Sequence, residues 1–166
     1  IERTIDMALR QIVKFGEDIL RKKSRPVTNF DERLWTLLDD MAETMHSKDG
    51  AGLAAVQVGV LRRAVVIDVH DEHGVIELIN PEIVSAEGTQ CGSEGCLSAP
   101  NMWEEVERPN IVTVKAQDRH GKEFTMTGSA LLARAFCHEL DHLDGVLFID
   151  HVKSGGVPEH QNITAK

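Results

Sequence analysis

Leu34, Leu38, Met41 and Met45 recur at steps of four and three, with Leu37 broadening the stripe, and this spacing predicts an amphipathic helix that buries one face. Asn29 or Asp31 can cap its start, and Asp49-Gly50 marks the expected stop. From Arg63 onward the pattern changes. Ala64 to Val69, Val75 to Ile79, Ile83-Val84, Ile111 to Ala116 and Phe124 to Thr127 are short β-prone runs set off by Gly, Asn, Asp or Pro. Asp118-Arg119-His120-Gly121 reads as a hairpin connection, and no long helix separates the runs as a βαβ arrangement would require. The runs therefore predict antiparallel strands. From Gly128 or Ser129 to Leu143 the helical period returns, with Leu132, Phe136, Leu140 and Leu143 on one stripe and Leu131, Ala135, His138 and His142 on a neighbouring one. Gly145 is a natural stop. The expected class is α+β, with antiparallel sheets packed around this central C-terminal helix and a further helix near the N-terminus.

A chain of 166 residues fits one domain with a sizeable core, expected over 7–152. Residues 1–6 read as an expression remnant or short extension ahead of Met7, and 153–166 as a short polar tail. No apolar run approaches the roughly 20 residues needed to span a bilayer. The start lacks the basic flank and apolar block of a secretory signal, which points to a cytosolic compartment. The net charge of −9 repels a phosphate backbone and argues against direct nucleic-acid binding. Cys91, Cys96 and Cys137 are an odd number and suggest free thiols rather than a disulfide framework.

Within the second helix, His138-Glu139-Leu140-Asp141-His142 places two imidazoles four positions apart on one face, where they can share a metal ion. Glu139 is then placed to handle a proton on water at that ion. The run continues to Gly145, but Phe148 stands where a metzincin carries its third histidine, so a third ligand must come from elsewhere. Cys96, Asp150, His151 and Glu159 are the candidates. Cys96 has the most suggestive surroundings, in Glu94-Gly95-Cys96-Leu97-Ser98, where glycine permits close backbone approach. Cys91 and Cys137 read as structural, and His46, His70, His73, His120, His151 and His160 as surface residues. Trp103 is expected either to shape a pocket rim or simply to pack.

Gly50-Ala51-Gly52-Leu53-Ala54-Ala55-Val56-Gln57, Glu94 to Ser98 and His138 to Gly145 together resemble the three signature motifs of the peptide deformylases, in the family's order and at its spacing. The resemblance runs from Ile12-Val13-Lys14-Phe15-Gly16 through Arg25-Pro26-Val27 and Ile79-Asn80-Pro81 to Leu147-Phe148. It implies that Cys96, His138 and His142 are metal ligands, that Glu139 is general base and acid, and that the Gln57 amide and the Leu97 backbone N–H bind an oxyanion. Gly52 and nearby backbone would hold an extended substrate, with Leu131 and Ala135 lining an apolar pocket for the formyl-methionine side chain. Glu94 and Arg108 match positions that form an ion pair in relatives and would steady the cysteine loop.

The resemblance implies hydrolysis of the N-formyl group of nascent polypeptides, with release of formate. One divalent ion is expected, Fe(II) in the cell, with Zn, Ni or Co in purified protein. A monomer of the bacterial cytoplasm is expected, an organelle matrix being the lesser alternative. Ala99 stands where relatives often carry a larger aliphatic residue, which would widen the substrate groove. The tail lacks the long basic helix of some bacterial members, so nascent chains, at the ribosome or released from it, would be met by diffusion. The competing readings are a zinc endopeptidase of the His-Glu-x-x-His type, which would tolerate loss of Cys96, and a non-catalytic metal-stapled binding protein, which would close all four metal positions with Cys or His.

Overall fold

Helix α1, Glu32–Ser47, forms where the apolar stripe predicts it, and the computed structural model describes it within residues 8–152. Of the two candidate caps, Asp31 is the one used: its carboxylate accepts the Leu34 N–H at 3.3 Å. Leu34, Leu37, Leu38, Met41 and Met45 are buried against a sheet. Each such side chain contributes about 1.5–3 kcal/mol of burial free energy.

The sheet has five strands, β1 (Gly52–Ala54), β2 (Ala64–Ile67), β3 (Ile76–Glu87), β6 (Ile111–Gln117) and β7 (Glu123–Ser129), paired antiparallel in the order β1-β2-β3-β6-β7. β2 is apolar at every position because both its faces are covered. Ala64 and Val66 join the cluster under α1, whereas Val65 and Ile67 join the cluster under helix α2, Leu131–Leu143. α2 packs its Leu132, Phe136, Leu140 and Leu143 stripe on that second face. The sheet thus lies between the two helices, and the α+β expectation holds.

A second, two-stranded sheet pairs β4 (Gln90–Cys96) with β5 (Ala99–Arg108). It adds only Ala99 and Val106 to a small buried cluster with Phe148. The N-terminal segment threads between two loops, with Val13 N–H donating to Gln57 O at 2.7 Å and Phe15 N–H to Ser98 O at 2.9 Å.

Two expectations need correction. α2 begins at Leu131 rather than Gly128 or Ser129, because Gly128 and Ser129 pair with Val112 and Ile111 and the break falls at Ala130, φ +54°. Ile83-Val84 is no separate strand. β3 runs through it from Ile76, with a register shift at Asn80-Pro81 that lets Asn80 bond Val27 N, Val27 O and Gln117. In the second sheet, Ala99-Pro100 opens β5 and the hairpin turn lies at Leu97-Ser98.

α2 ends as its glycine predicts. Gly145, φ +76°, donates its N–H to His142 O at 3.2 Å, and Val146 N–H reaches Asp141 O at 3.0 Å, a Schellman closure.

Candidate metal centre and active site

Cys96 at the end of β4 and His138 and His142 on α2 bring one sulfur and two imidazole nitrogens within 4.8 Å of one another. His142 Nε2 lies 3.4 Å from the Cys96 sulfur. Both imidazoles are buried, and four-residue helical spacing puts them on one face. The other candidates for a third ligand are engaged elsewhere: Asp150 receives two bonds from Arg21, and His151 bonds Asp141. Glu159 and His160 lie outside the described residues. Cys137 is buried away from the cluster, its thiol pushed up to about 11 by burial, whereas Cys91 is exposed on β4 and is not a core residue. The five described surface histidines, His46, His70, His73, His120 and His151, are all exposed.

The electrostatics of the cluster suit a cation. Burial opposes a charge on His138, yet Cys96, Glu139 and Glu94 outweigh it and push the imidazole well above its usual range. The negative surroundings that hold a proton there would hold a divalent ion. Burial, followed by the charges of His138 and Arg108, keeps His142 well below the usual range, so it is the neutral ring that a metal needs. Burial also opposes the charge of Glu94, but bonds from His138 and Arg108 hold its carboxyl well below the usual carboxylate range. As an acceptor it fixes the tautomer of His138: Nδ1–H donates to Glu94 Oε2 at 2.5 Å, leaving Nε2 for a metal. The donor set of one thiolate and two imidazoles fits a transition metal.

Glu94 and Arg108 are not surface charges. Both are 4% exposed and joined by two bonds of 2.7 and 3.1 Å. Arg134, Asp141 and Gln90, which motif reading did not single out, complete the network. For Arg134 the available signal was its position one turn before His138.

Glu139 is buried at the head of a groove, and its Oε1 has no partner among the described residues. Burial is the main force that pushes its carboxyl up to about 7, where it can accept and return a proton near neutrality. Gln57 is buried, with Oε1 accepting Ala54 N–H at 2.9 Å, which directs Nε2 toward Ser98 Oγ at 3.1 Å and Cys96 Sγ at 3.5 Å. A groove of about 550 Å³ opens beside these groups, lined by Gly52, Leu97, Leu131, Ala135 and Trp103. Trp103 is 66% exposed at the rim, and Ala99 also lines the groove.

One thiolate and two imidazoles, a buried carboxylate beside them and a groove leading to both are the arrangement of a metal-dependent hydrolase. Residues 9–157 match the sequence profile of the family described as polypeptide deformylase. The peptide deformylase of Caldicellulosiruptor bescii is 61% identical over 146 residues, 88% of this chain and 87% of that protein. The crystal structure of the Thermotoga maritima peptide deformylase superposes with a TM-score of 0.84 at 43% identity, covering 87% of this chain and 98% of that one. A Met-Ala-Ser-bound peptide deformylase from Acinetobacter baumannii gives 0.83 at 31% identity, over 88% of this chain and 99% of that one. The chain belongs to the polypeptide deformylase family, metallohydrolases that remove the formyl group from N-formyl-methionine peptides.

Proposed function

We propose that this chain removes formyl groups with Cys96, His138 and His142 holding one divalent ion and Glu139 carrying the proton. The observation that carries the reading is the buried Glu139 carboxylate, whose Oε1 has no partner among the described residues, beside three converging ligand atoms at the head of a groove. A bound ion supplies Lewis acidity toward water and the formyl oxygen.

The protein's own groups do the rest. Glu139 takes a proton from the attacking water as oxygen bonds to the formyl carbon, then gives it to the departing α-amine as the C–N bond breaks, so formate and a free N-terminus leave. The Gln57 amide, aimed by Ala54, and the Leu97 N–H donate to the oxyanion that develops between these steps. β1 stands at the edge of its sheet, so Gly52 can present backbone to an extended peptide by β-addition. Leu131 and Ala135 receive the methionine side chain, an apolar fit.

The thiolate and imidazole donors suit Fe(II) and Zn alike, and the family resemblance points to Fe(II) in the cell, with Zn, Ni or Co in purified protein. Bacterial relatives support a cytoplasmic enzyme, and no helix among the described residues is long and apolar enough to cross a membrane. The substrates are N-formyl-Met nascent chains, and the enzyme acts as a monomer. The Met-Ala-Ser peptide bound to the A. baumannii relative has the form of a deformylated product, which supports this substrate class.

The test is formate release from formyl-Met-Ala-Ser by Fe(II)-loaded protein prepared without oxygen, beside Glu139→Ala. Turnover by the parent alone is expected. Metal-replete protein that leaves the peptide intact overturns the reading.

A further inference from the structure

The thiolate ligand and the imidazole ligands sit on different elements, and little apolar packing fixes the distance between them. Cys96 ends β4 at the tip of the β4–β5 hairpin, whose fully buried apolar residues are Ala99 and Val106, with Cys96, Leu97 and Met102 packed only partly buried. His138 and His142 belong to α2, seated on the five-stranded sheet. Polar bonds must therefore hold the hairpin to the helix, and they converge on Glu94, two residues before Cys96.

The Glu94 carboxylate is saturated. Oε1 accepts from Arg108 Nε at 3.1 Å and from Arg134 at 2.7 Å. Oε2 accepts from Arg108 at 2.7 Å and from His138 Nδ1 at 2.5 Å. Arg108 comes from the hairpin itself, so its fork cannot tie the hairpin to α2 through Glu94 alone. Arg134 and His138 come from α2, one turn apart, each holding one oxygen. Arg134 also donates to Val106 O at 3.1 Å and Gln90 Oε1 at 3.3 Å, reaching both strands of the hairpin. It is 7% exposed and lines the groove.

Charge gives Arg134 a second task. Arg108 is shared between Glu94 and Asp141, with a 2.9 Å bond to the latter, so one guanidinium faces two carboxylates. Arg134 supplies the second positive charge and balances the group. Without it, Glu94 would keep only the Arg108 guanidinium that it shares with Asp141, so a carboxylate less fully compensated would face His138 Nδ1–H and make the imidazole a stronger donor to whatever Nε2 binds.

We infer that Arg134 is a positioning residue: it locks Glu94 and docks the hairpin on α2, and thereby sets the geometry and donor strength of the Cys96–His138–His142 metal site. The inference rests on the metal-ligand reading above.

Three variants test it: Arg134→Met, which keeps bulk without charge, Arg134→Lys, which keeps charge without the fork, and Arg119→Met as control. Arg119, in the β6–β7 turn, is likewise bound to two carboxylates, but these are Glu77 on β3 and Asp39 on α1 rather than groups of α2 or the hairpin. The readouts are the visible spectrum of Co(II)-substituted protein, the rate of metal loss to a chelator, and kcat and KM on formyl-Met-Ala-Ser. Arg134→Met should shift the Co(II) bands, lose metal about tenfold to a hundredfold faster and lower kcat more than it raises KM, since outer partners of a ligating histidine have effects of that size. Arg134→Lys should recover part of each. Arg119→Met should lower the melting temperature and leave spectrum and metal loss unchanged. If Arg134→Met unfolds, a Lys variant with the parent's spectrum and metal-loss rate overturns the inference. A folded Met variant that differs from the parent only in melting temperature does the same. Parent protein that binds no Co(II), or binds it equally after Cys96→Ala, overturns the underlying metal reading instead.

Discussion

A β-carbon on Gly52 would stand 2.5 Å from Oε2 of Glu139 and 2.9 Å from its Cγ and Cδ. β1 and α2 therefore approach so closely at this point that only glycine leaves the carboxylate its place. Gly52, expected to present backbone to the substrate, also makes room for the proton carrier. Gly52→Ala should push the Glu139 carboxylate aside by several tenths of an ångström or more. Because misplacing a catalytic group by about 1 Å can cost on the order of 100-fold, kcat should fall by roughly 10- to 100-fold while bound metal stays at one per chain. Metal analysis with steady-state kinetics checks this, and a kcat within twofold of the parent would refute the steric argument.

Glu139→Gln preserves the shape of that enclosed site and removes its proton chemistry. Turnover should drop by about 100- to 10,000-fold with metal content unchanged. The exchange also removes a carboxyl that burial holds near 7, so no pKa cost of folding at neutral pH remains at this position. The variant should melt no lower than the parent at pH 8, where the native carboxylate must be kept ionised against its surroundings. A marked loss of stability at that pH would mean that Glu139 has a structural partner the fold conceals.

Gln57 is held at Oε1 by the Ala54 N–H and turns its Nε2 toward Ser98 Oγ and Cys96 Sγ. Gln57→Leu leaves Ala54 N–H buried without an acceptor, which should cost about 1–3 kcal/mol. It also removes the donor proposed for the oxyanion, worth about 100- to 1,000-fold in kcat. Gln57→Glu separates the two effects, since a carboxylate still accepts from Ala54 but cannot donate. Near-parental stability with low kcat is the expected result, read by thermal melting and kinetics together.

The sequence showed the elements whose pattern is local and hid those whose partners are distant. α1 was legible because its stripe and the Asp31 cap lie within one window, and β2 because four successive apolar residues mark a strand covered on both faces. The hairpin was not: Gln90-Cys91-Gly92-Ser93-Glu94-Gly95 is polar and glycine-bearing, since one of its faces is open and the other is docked through charge. The His-Glu-x-x-His motif was visible from helical spacing alone, whereas the third ligand needed the family resemblance. The network behind it escaped because Arg134 meets Glu94 across 40 residues of chain, a pairing no periodicity records.

Asp150 ties the end of the chain's described part to its beginning. Arg21 donates to it at 2.7 and 3.1 Å, and Leu147 N–H at 2.9 Å. Burial opposes its charge, but the Arg21 bond prevails and its carboxyl lies below the usual aspartate range. A folded pKa below the unfolded value means that the unfolded chain binds the proton more readily. The contribution is then complete above the unfolded pKa, about 4, and is lost as pH falls through the folded one. Asp150→Asn should cost roughly 1 kcal/mol at pH 7, a figure discounted for its partial exposure. Its melting temperature should fall less steeply than the parent's between about pH 5 and pH 3. Parallel curves would show that the pair adds nothing to acid sensitivity.

Gly145 closes α2 one turn after His142, and two separate demands fall on it. Its φ of +76° disfavours any side chain, and a β-carbon would strike the carbonyl of Arg21. Gly74 has a similar φ of +64° but nothing within 4 Å of the same added carbon. Gly74→Ala should thus cost only the backbone preference, about 1–2 kcal/mol. Gly145→Ala adds the collision with backbone that cannot swing away, because Arg21 is itself bonded to Gly145 O at 3.1 Å and to Asp150. The last turn of α2 must shift to relieve it, and that turn carries His142. Gly145→Ala should therefore melt well below Gly74→Ala and also release metal faster, whereas Gly74→Ala should retain metal like the parent. Equal melting temperatures for the two variants would show that the Arg21 contact relaxes freely, and unchanged metal release in Gly145→Ala would show that the end of the helix moves independently of its ligand.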